Sequence, residues 1–151
     1  MPPKPNAAPK EVFLSHSSKD LRFLGRLAKV LSAHGVASFL SKKHIRGAQE
    51  WHDEIGEALK RCDWFLIVLS PASTRSRWVK HELIYALQAS RYPKRIIPVL
   101  YKTCDPDELS WTLSAFQRID FRKDFHGGCR ELLHVWGLDY QPGTRDSKES
   151  S

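Results

Sequence analysis

Apolar residues fall in two alternating rhythms along this chain. Val12-Phe13-Leu14, Val36 to Leu40, Trp64 to Leu69, Arg95 to Tyr101 and Arg118 to Phe121 are short runs that read as five strands. The run after Asp63, WFLIVL, is unbroken and ends at Ser70-Pro71, the pattern of a strand covered on both faces. Between these runs the apolar positions recur at helical spacing. Leu21, Leu24, Leu27, Ala28 and Leu31 make one inward stripe, and Trp51, Ile55, Ala58, Leu59 and Cys62 a second. Val79, Leu83, Ala86 and Leu87 make a third, and Cys129 to Trp136 is the last helix expected. Ser17-x-x-Asp20 has the spacing of a capping box for the first helix, and His34-Gly35 ends that helix. Pro98 costs its strand a ladder bond, which places that strand near an edge or at a bulge, and Asp105 to Leu109 is expected as a turn or short helix.

Strands alternating with helices imply right-handed βαβ units and a parallel sheet with helices on both faces. Five such strands fit the flavodoxin-like order 2-1-3-4-5, in which ligands bind outside the carboxyl ends of strands 1 and 3. Those ends are Ser15-His16-Ser17 and Ser70-Pro71-Ala72-Ser73. Glu82 lies in the helix that follows, on a stripe with Trp78 and Tyr85 beside the apolar face. A carboxylate next to a core is either a paired structural residue, here with Arg75 or Arg77 in reach, or a working group. Topology and the odd glutamate point to the same cleft.

Composition narrows the remaining choices. A chain of 151 residues, 41% hydrophobic and 27% charged, is expected to be one globular domain. We expect it to span residues 11–140, with disordered tails at 1–10, which hold four of the nine prolines, and at 141–151. No apolar run approaches a membrane span and the first residues lack a signal-peptide core, so the expected location is the cytoplasm, with no membrane partner. Three cysteines without C-x-x-C spacing argue for reduced thiols, and seven histidines without H-x-x-x-H or HExxH spacing give no metal site. The net charge of +7 would suit an anionic ligand. Its lysines and arginines are scattered, however, so no specific nucleic-acid partner is expected. Two occupants of this architecture fail on their residues. A phosphoacceptor receiver needs an acidic pair after strand 1 and an Asp after strand 3, where this chain has Ser15-His16 and Leu69-Ser70. A dinucleotide fold needs G-x-G-x-x-G after strand 1, and no glycine occurs between Glu11 and Leu24.

Val12 to Asp20 (VFLSHSSKD), Ile45-Arg46-Gly47 with Ile55-Gly56-Glu57-Ala58-Leu59 beyond it, Cys62-Asp63 leading into Ile67-Val68-Leu69-Ser70-Pro71, and above all Ser76 to Leu83 (SRWVKHEL) together resemble a bacterial-type Toll/interleukin-1 receptor (TIR) domain. The likeness runs from about Val12 to Trp136. It implies cleavage of NAD+ between nicotinamide and ribose, giving ADP-ribose or a cyclic isomer, with NAD+ as substrate and no further cofactor. Glu82 matches the family's catalytic glutamate, and Trp78 an aromatic lining the site. Ser15, His16, Ser17, Phe39, Lys43 and Ser70 are the other expected substrate contacts. The loop Ser41, Lys42, Lys43, His44, Ile45, Arg46, Gly47 matches one through which relatives dock on one another, which implies self-association and leaves room for a separate sensor or effector protein as partner. The chain departs from the family in having Ser41-Lys42-Lys43 where many relatives carry an acid, and Ser17-Ser18 where some NAD-cleaving members carry arginines. One carboxylate suffices for this chemistry, because nicotinamide leaves from a cationic pyridinium and needs no general acid, unlike the oxygen leaving group of a glycosidase. Prokaryotic anti-phage signalling is the implied setting. A non-catalytic adaptor acting by TIR–TIR assembly is the alternative, and Ser-x-Trp-x-x-x-Glu weighs against it, since an adaptor has no use for a cleft carboxylate beside a tryptophan.

Overall fold

The computed structural model describes residues 8–40 and 48–143, with side chains for 8–40 and 53–143. Five parallel strands, β1 (Glu11–Ser15), β2 (Ala37–Leu40), β3 (Trp64–Leu69), β4 (Ile96–Leu100) and β5 (Ile119–Asp120), form one sheet in the order β2-β1-β3-β4-β5. This is the flavodoxin-like order expected from the alternation of runs. Helices α1 (Leu21–Ala33) and α5 (Phe125–Val135) cover one face; α2 (Ala48–Arg61) and α4 (Arg77–Gln88) cover the other, and the short α3 (Pro71–Thr74) joins β3 to α4.

The period of two along each strand divides the core. Val12, Leu14, Trp64, Leu66 and Val68 face α1 and α5, whereas Phe13, Phe65, Ile67 and Leu69 face α2 and α4. All six residues of β3 are buried, as an unbroken apolar run at the centre of a covered sheet should be. Phe39, Phe13 and Phe65 stand in register on three adjacent strands and stack, with ring centroids 5.4 and 5.5 Å apart. A one-residue slip would turn this ladder to the wrong face, so it helps fix the register.

The starts of the strands are tied by polar contacts. Asp63 accepts from the backbone N–H of both Lys10 (3.0 Å) and Glu11 (3.1 Å), and Arg61 pairs with Glu11 through two nitrogens. The buried Tyr92 hydroxyl lies 2.6 Å from the carbonyl of Leu59 and 3.0 Å from that of Cys62, closing the end of α2. At the C-cap of α1, His34 Nδ1 donates to the Val30 carbonyl (2.7 Å), which fixes the tautomer and leaves Nε2 to accept from Gln141 N–H (2.9 Å).

Three local expectations are settled by packing. Pro98 lies in β4, one strand in from the edge, with no bulge needed. Arg95 turns its carbonyl to β3 and Leu100 its carbonyl to β5, so alternation aims Pro98's missing N–H at the β5 side, where pairing begins only at Val99. The last helix starts four residues earlier than the apolar stripe indicates, at Phe125, capped by Asp124, which accepts from His126 and Gly127 N–H. Gly127-Gly128 hides this turn from a pattern reading; Gly128 packs so closely on the Phe121 ring that a Cβ there would collide with it. The capping box at Ser17-x-x-Asp20 does not form. Ser17 accepts from Lys19 N–H and caps a 3-10 turn at Ser18–Asp20, and the Asp20 side chain turns elsewhere. Residues 1–7, 41–47 and 144–151, which include most of both expected tails, the expected docking loop and Lys43, lie outside the described residues. Among the described residues no helix is long and apolar enough to cross a membrane.

Candidate active site

The site is built where β1, β3 and α4 meet. Ser15 ends β1 on the side facing α2 and α4, continuing the alternation set by Phe13. Ser76 caps α4 by accepting from Val79 N–H (3.2 Å), which starts the helix so that Val79, Leu83 and Ala86 are buried. Four residues of helical spacing then bring Trp78 and Glu82 together on the adjoining stripe. Glu82 is only 3% exposed. Its Oε1 accepts from Ser15 Oγ at 2.7 Å and its Oε2 from the Trp78 indole N–H at 3.0 Å. A carboxylate buried on an apolar helix face is expensive unless it receives such bonds. Here each oxygen accepts a donor, one from its own helix and one from a strand 67 residues away in sequence.

A groove of about 300 Å³ opens beside Glu82 between α2 and α4. Ile55, Leu59, Trp78 and Tyr85 give it apolar walls, and Lys60, His81 and Glu82 supply its polar atoms. The His81 ring meets Trp78 edge-on, 6.1 Å between centroids. Lys60 and His81 carry no motif that marks them. The only signal for Lys60 is its place next to Leu59 and four residues after Gly56, and His81 adjoins Glu82 in sequence.

The other expected contacts divide by face. Phe39 stands on edge strand β2, stacked on Phe13, on the same face as Glu82 and Trp78. Ser17 is occupied as a cap. His16 is buried, with Nδ1 donating to the Leu14 carbonyl at 3.0 Å. Ser70 follows Val68 by two residues and therefore points to the opposite face, toward α1, where its hydroxyl donates to Asp20. Glu82, Trp78 and Ser15 are thus brought into contact, Phe39 shares their face of the sheet without lining the groove, and Ser70 turns away. Among the described residues no three His, Cys, Asp or Glu side chains are grouped to hold a metal. Cys62 is buried, and burial pushes its thiol up to about 12.

Comparison with known proteins bears on the fold and the family. Over 144 residues the chain is 28% identical to a Brachypodium distachyon protein named "Probable 2' cyclic ADP-D-ribose synthase BdTIR". The match covers 92% of this chain and 63% of that protein's length. Among solved structures, the TIR domain of the Toll-related receptor TRR-2 from Hydra magnipapillata superposes with a TM-score of 0.62 at 17% identity, covering 83% of this chain and 90% of its own. The TIR domains of the activated Roq1 resistosome give 0.62 at 19% identity over 83% of this chain and 98% of theirs. A prokaryotic SEFIR domain gives 0.58 at 18% identity over 90% and 99%. These likenesses speak for the fold. The sequence model of the TIR domain matches residues 12–133, and the chain belongs to that family.

Proposed function

We propose that this TIR domain cleaves NAD+ at the bond between nicotinamide and ribose, with Glu82 as the catalytic carboxylate. The observation that carries the reading is the buried Glu82, held by Ser15 and Trp78 beside an open groove near the carboxyl ends of β1 and β3. The name of the Brachypodium relative, a synthase of a cyclic ADP-ribose, supports the same substrate and the same bond. In the reaction the C1′–N bond breaks with its electron pair going to the pyridinium nitrogen, so nicotinamide departs neutral and positive charge appears on the ribose. A fixed anion that hydrogen-bonds the ribose hydroxyls stabilises that charge as it develops, and it does so best where water is excluded. Water adding at C1′ and losing a proton gives ADP-ribose; a hydroxyl or ring nitrogen of the same molecule gives a cyclic isomer. Trp78 and Tyr85 offer flat faces to the departing ring.

The reading extends to assembly and setting. Self-association through the 41–47 loop completes the groove from a neighbouring copy, and the product, or the loss of NAD+, serves a cytoplasmic immune response to phage. Purified protein incubated with NAD+ over a range of protein concentrations tests both parts. Release of nicotinamide that rises faster than linearly with protein is the expected result. No nicotinamide at any concentration at which the protein self-associates rejects the enzyme and leaves the adaptor; strict proportionality, unchanged by Ile45→Glu, rejects the assembly.

A further inference from the structure

A second buried carboxylate sits at the ends of β1 and β3, and the reaction above does not use it. Asp20 is 5% exposed and occupies the N-cap of α1, yet its side chain makes no bond to that helix's amides. An acid at this position ordinarily accepts from the second or third N–H of its helix. Asp20 Oδ2 instead accepts from Ser70 Oγ at 2.5 Å, 50 residues away. Burying a carboxylate costs free energy that a solvated cap would not. Helix capping therefore does not explain this residue.

Ser70 is equally committed. It is 1% exposed, its Oγ accepts from Ser73 N–H (3.1 Å), and its own N–H donates to Ser73 Oγ (2.9 Å), which together cap α3. From α3 the chain passes through Arg75 to Ser76, the cap of α4, and so to Trp78 and Glu82. Two serine–carboxylate bonds thus cross at the top of the same two strands. Ser15 of β1 reaches Glu82 of the helix that follows β3, on the α2/α4 face; Ser70, following β3, reaches Asp20 at the start of the helix that follows β1, on the α1/α5 face.

We propose that Asp20 is a positioning residue for NAD+ cleavage: its bond to Ser70 latches the β1–α1 connection to the β3–α3 turn and thereby sets where α4 holds Glu82 and Trp78 against Ser15. The proposal rests on the reading of Glu82 given above. A displacement of about 1 Å in a catalytic group costs on the order of 10²-fold in rate, and a single short helix, α3, separates Ser70 of the latch from the helix that carries Glu82.

The test uses the full chain, with kcat and KM for nicotinamide release, and the Trp78 indole N–H resonance in 15N-labelled protein, assigned by its loss in Trp78→Phe. Asp20→Ala is expected to lower kcat roughly 10- to 100-fold with KM changed less than about threefold. Asp20→Asn keeps an oxygen that can accept from Ser70 and should retain most of kcat. Ser73→Ala removes the Ser73 hydroxyl's half of the α3 capping box, keeps the Ser73 N–H on Ser70 Oγ and spares the latch, and should leave kcat close to wild type. Because Asp20 and Ser70 act through one bond, Asp20→Ala combined with Ser70→Ala should fall no further than Ser70→Ala alone. The indole resonance should shift in Asp20→Ala and Ser70→Ala and stay in place in Asp20→Asn. Additive losses, a kcat near wild type in Asp20→Ala, or an unmoved resonance overturns the latch. If the wild type releases no nicotinamide, the reading of Glu82 fails, and the resonance, which needs no turnover, still decides whether Asp20 positions Trp78. Should Asp20→Ala not fold, Ser70→Ala and Asp20→Asn give the same comparison.

Discussion

Replacing Glu82 by glutamine separates its chemical role from its structural one, because the shape is kept and its bonds to Ser15 and Trp78 can each be remade by an amide. The Trp78 indole can only donate, so the glutamine carbonyl must face it; the new NH₂ group then faces Ser15 Oγ, and that hydroxyl must turn from donor to acceptor. Both contacts survive as neutral hydrogen bonds. Each charge-assisted bond is worth roughly 1 kcal/mol more than its neutral counterpart, and the buried charge that is removed returns part of that. The net loss should be about 1–2 kcal/mol, a minor part of the roughly 5–15 kcal/mol that holds a domain. At a few degrees per kcal/mol for a domain of this size, melting should fall by about 5 °C. Turnover should fall far more, by on the order of 10²-fold, equivalent to about 2.7 kcal/mol of barrier, because an amide cannot supply the charge that stabilises the oxocarbenium-like state. Nicotinamide release by chromatography and a thermal melt on the same sample measure the two quantities. Turnover of Glu82→Gln within about threefold of wild type would refute the catalytic assignment. A melt lowered by 15 °C or more would refute the claim that the two bonds can be remade.

Trp78→Phe keeps a flat ring but removes the donor to Glu82 Oε2; it should lower kcat more than it raises KM, whereas a ring needed only for stacking would leave kcat unchanged. Asp120, hydrogen-bonded by the Arg122 guanidinium and backbone N–H, is held down at about 2. A carboxyl whose folded value is depressed contributes stability that is present above its usual value of 3.8 and is lost as pH falls toward 2; carboxyl NMR should find this midpoint, and Arg122→Gln should raise it. Cys62 runs the other way. Its thiol stays protonated in the fold up to about 12 but ionises at its usual 9.0 when unfolded, so stability should decline as pH rises from 9 toward 12. Native protein at pH 8 should also leave Cys62 unmodified by a thiol reagent that reaches it in denaturant, and Cys62→Ala should flatten the alkaline decline.

The two rhythms of the sequence were enough for the strands, their order and the buried faces, because burial on both sides of a sheet leaves unbroken apolar runs and one-sided burial leaves helical stripes. The Trp78–Glu82 contact was legible for the same reason, four residues being one helical step. What was hidden depends on partners far along the chain. Ser15 and Glu82 meet across 67 residues, and Asp20 and Ser70 across 50, so the spacing Ser17-x-x-Asp20 reads as a local cap when the aspartate in fact bonds to another unit. Ser70 illustrates the same limit on one strand. Its position at the mouth of the cleft was evident, but the face it points to follows only from the strand register. The first turn of α5 was masked by Gly127-Gly128, where the shape of Phe121, and not local propensity, selects glycine.

Asp63's hold on Lys10 and His34's hold on Gln141 lie at the same end of the molecule, because all five strands start there. Glu82 lies at the other end, about 17 Å of strand away. A fluorescent protein, an affinity handle or a surface tether joined before Lys10 or after Gln141 therefore leaves from the back of the sheet. Molecules fixed to a support through either point would be held from the end of the sheet remote from Glu82, at a density the experimenter sets.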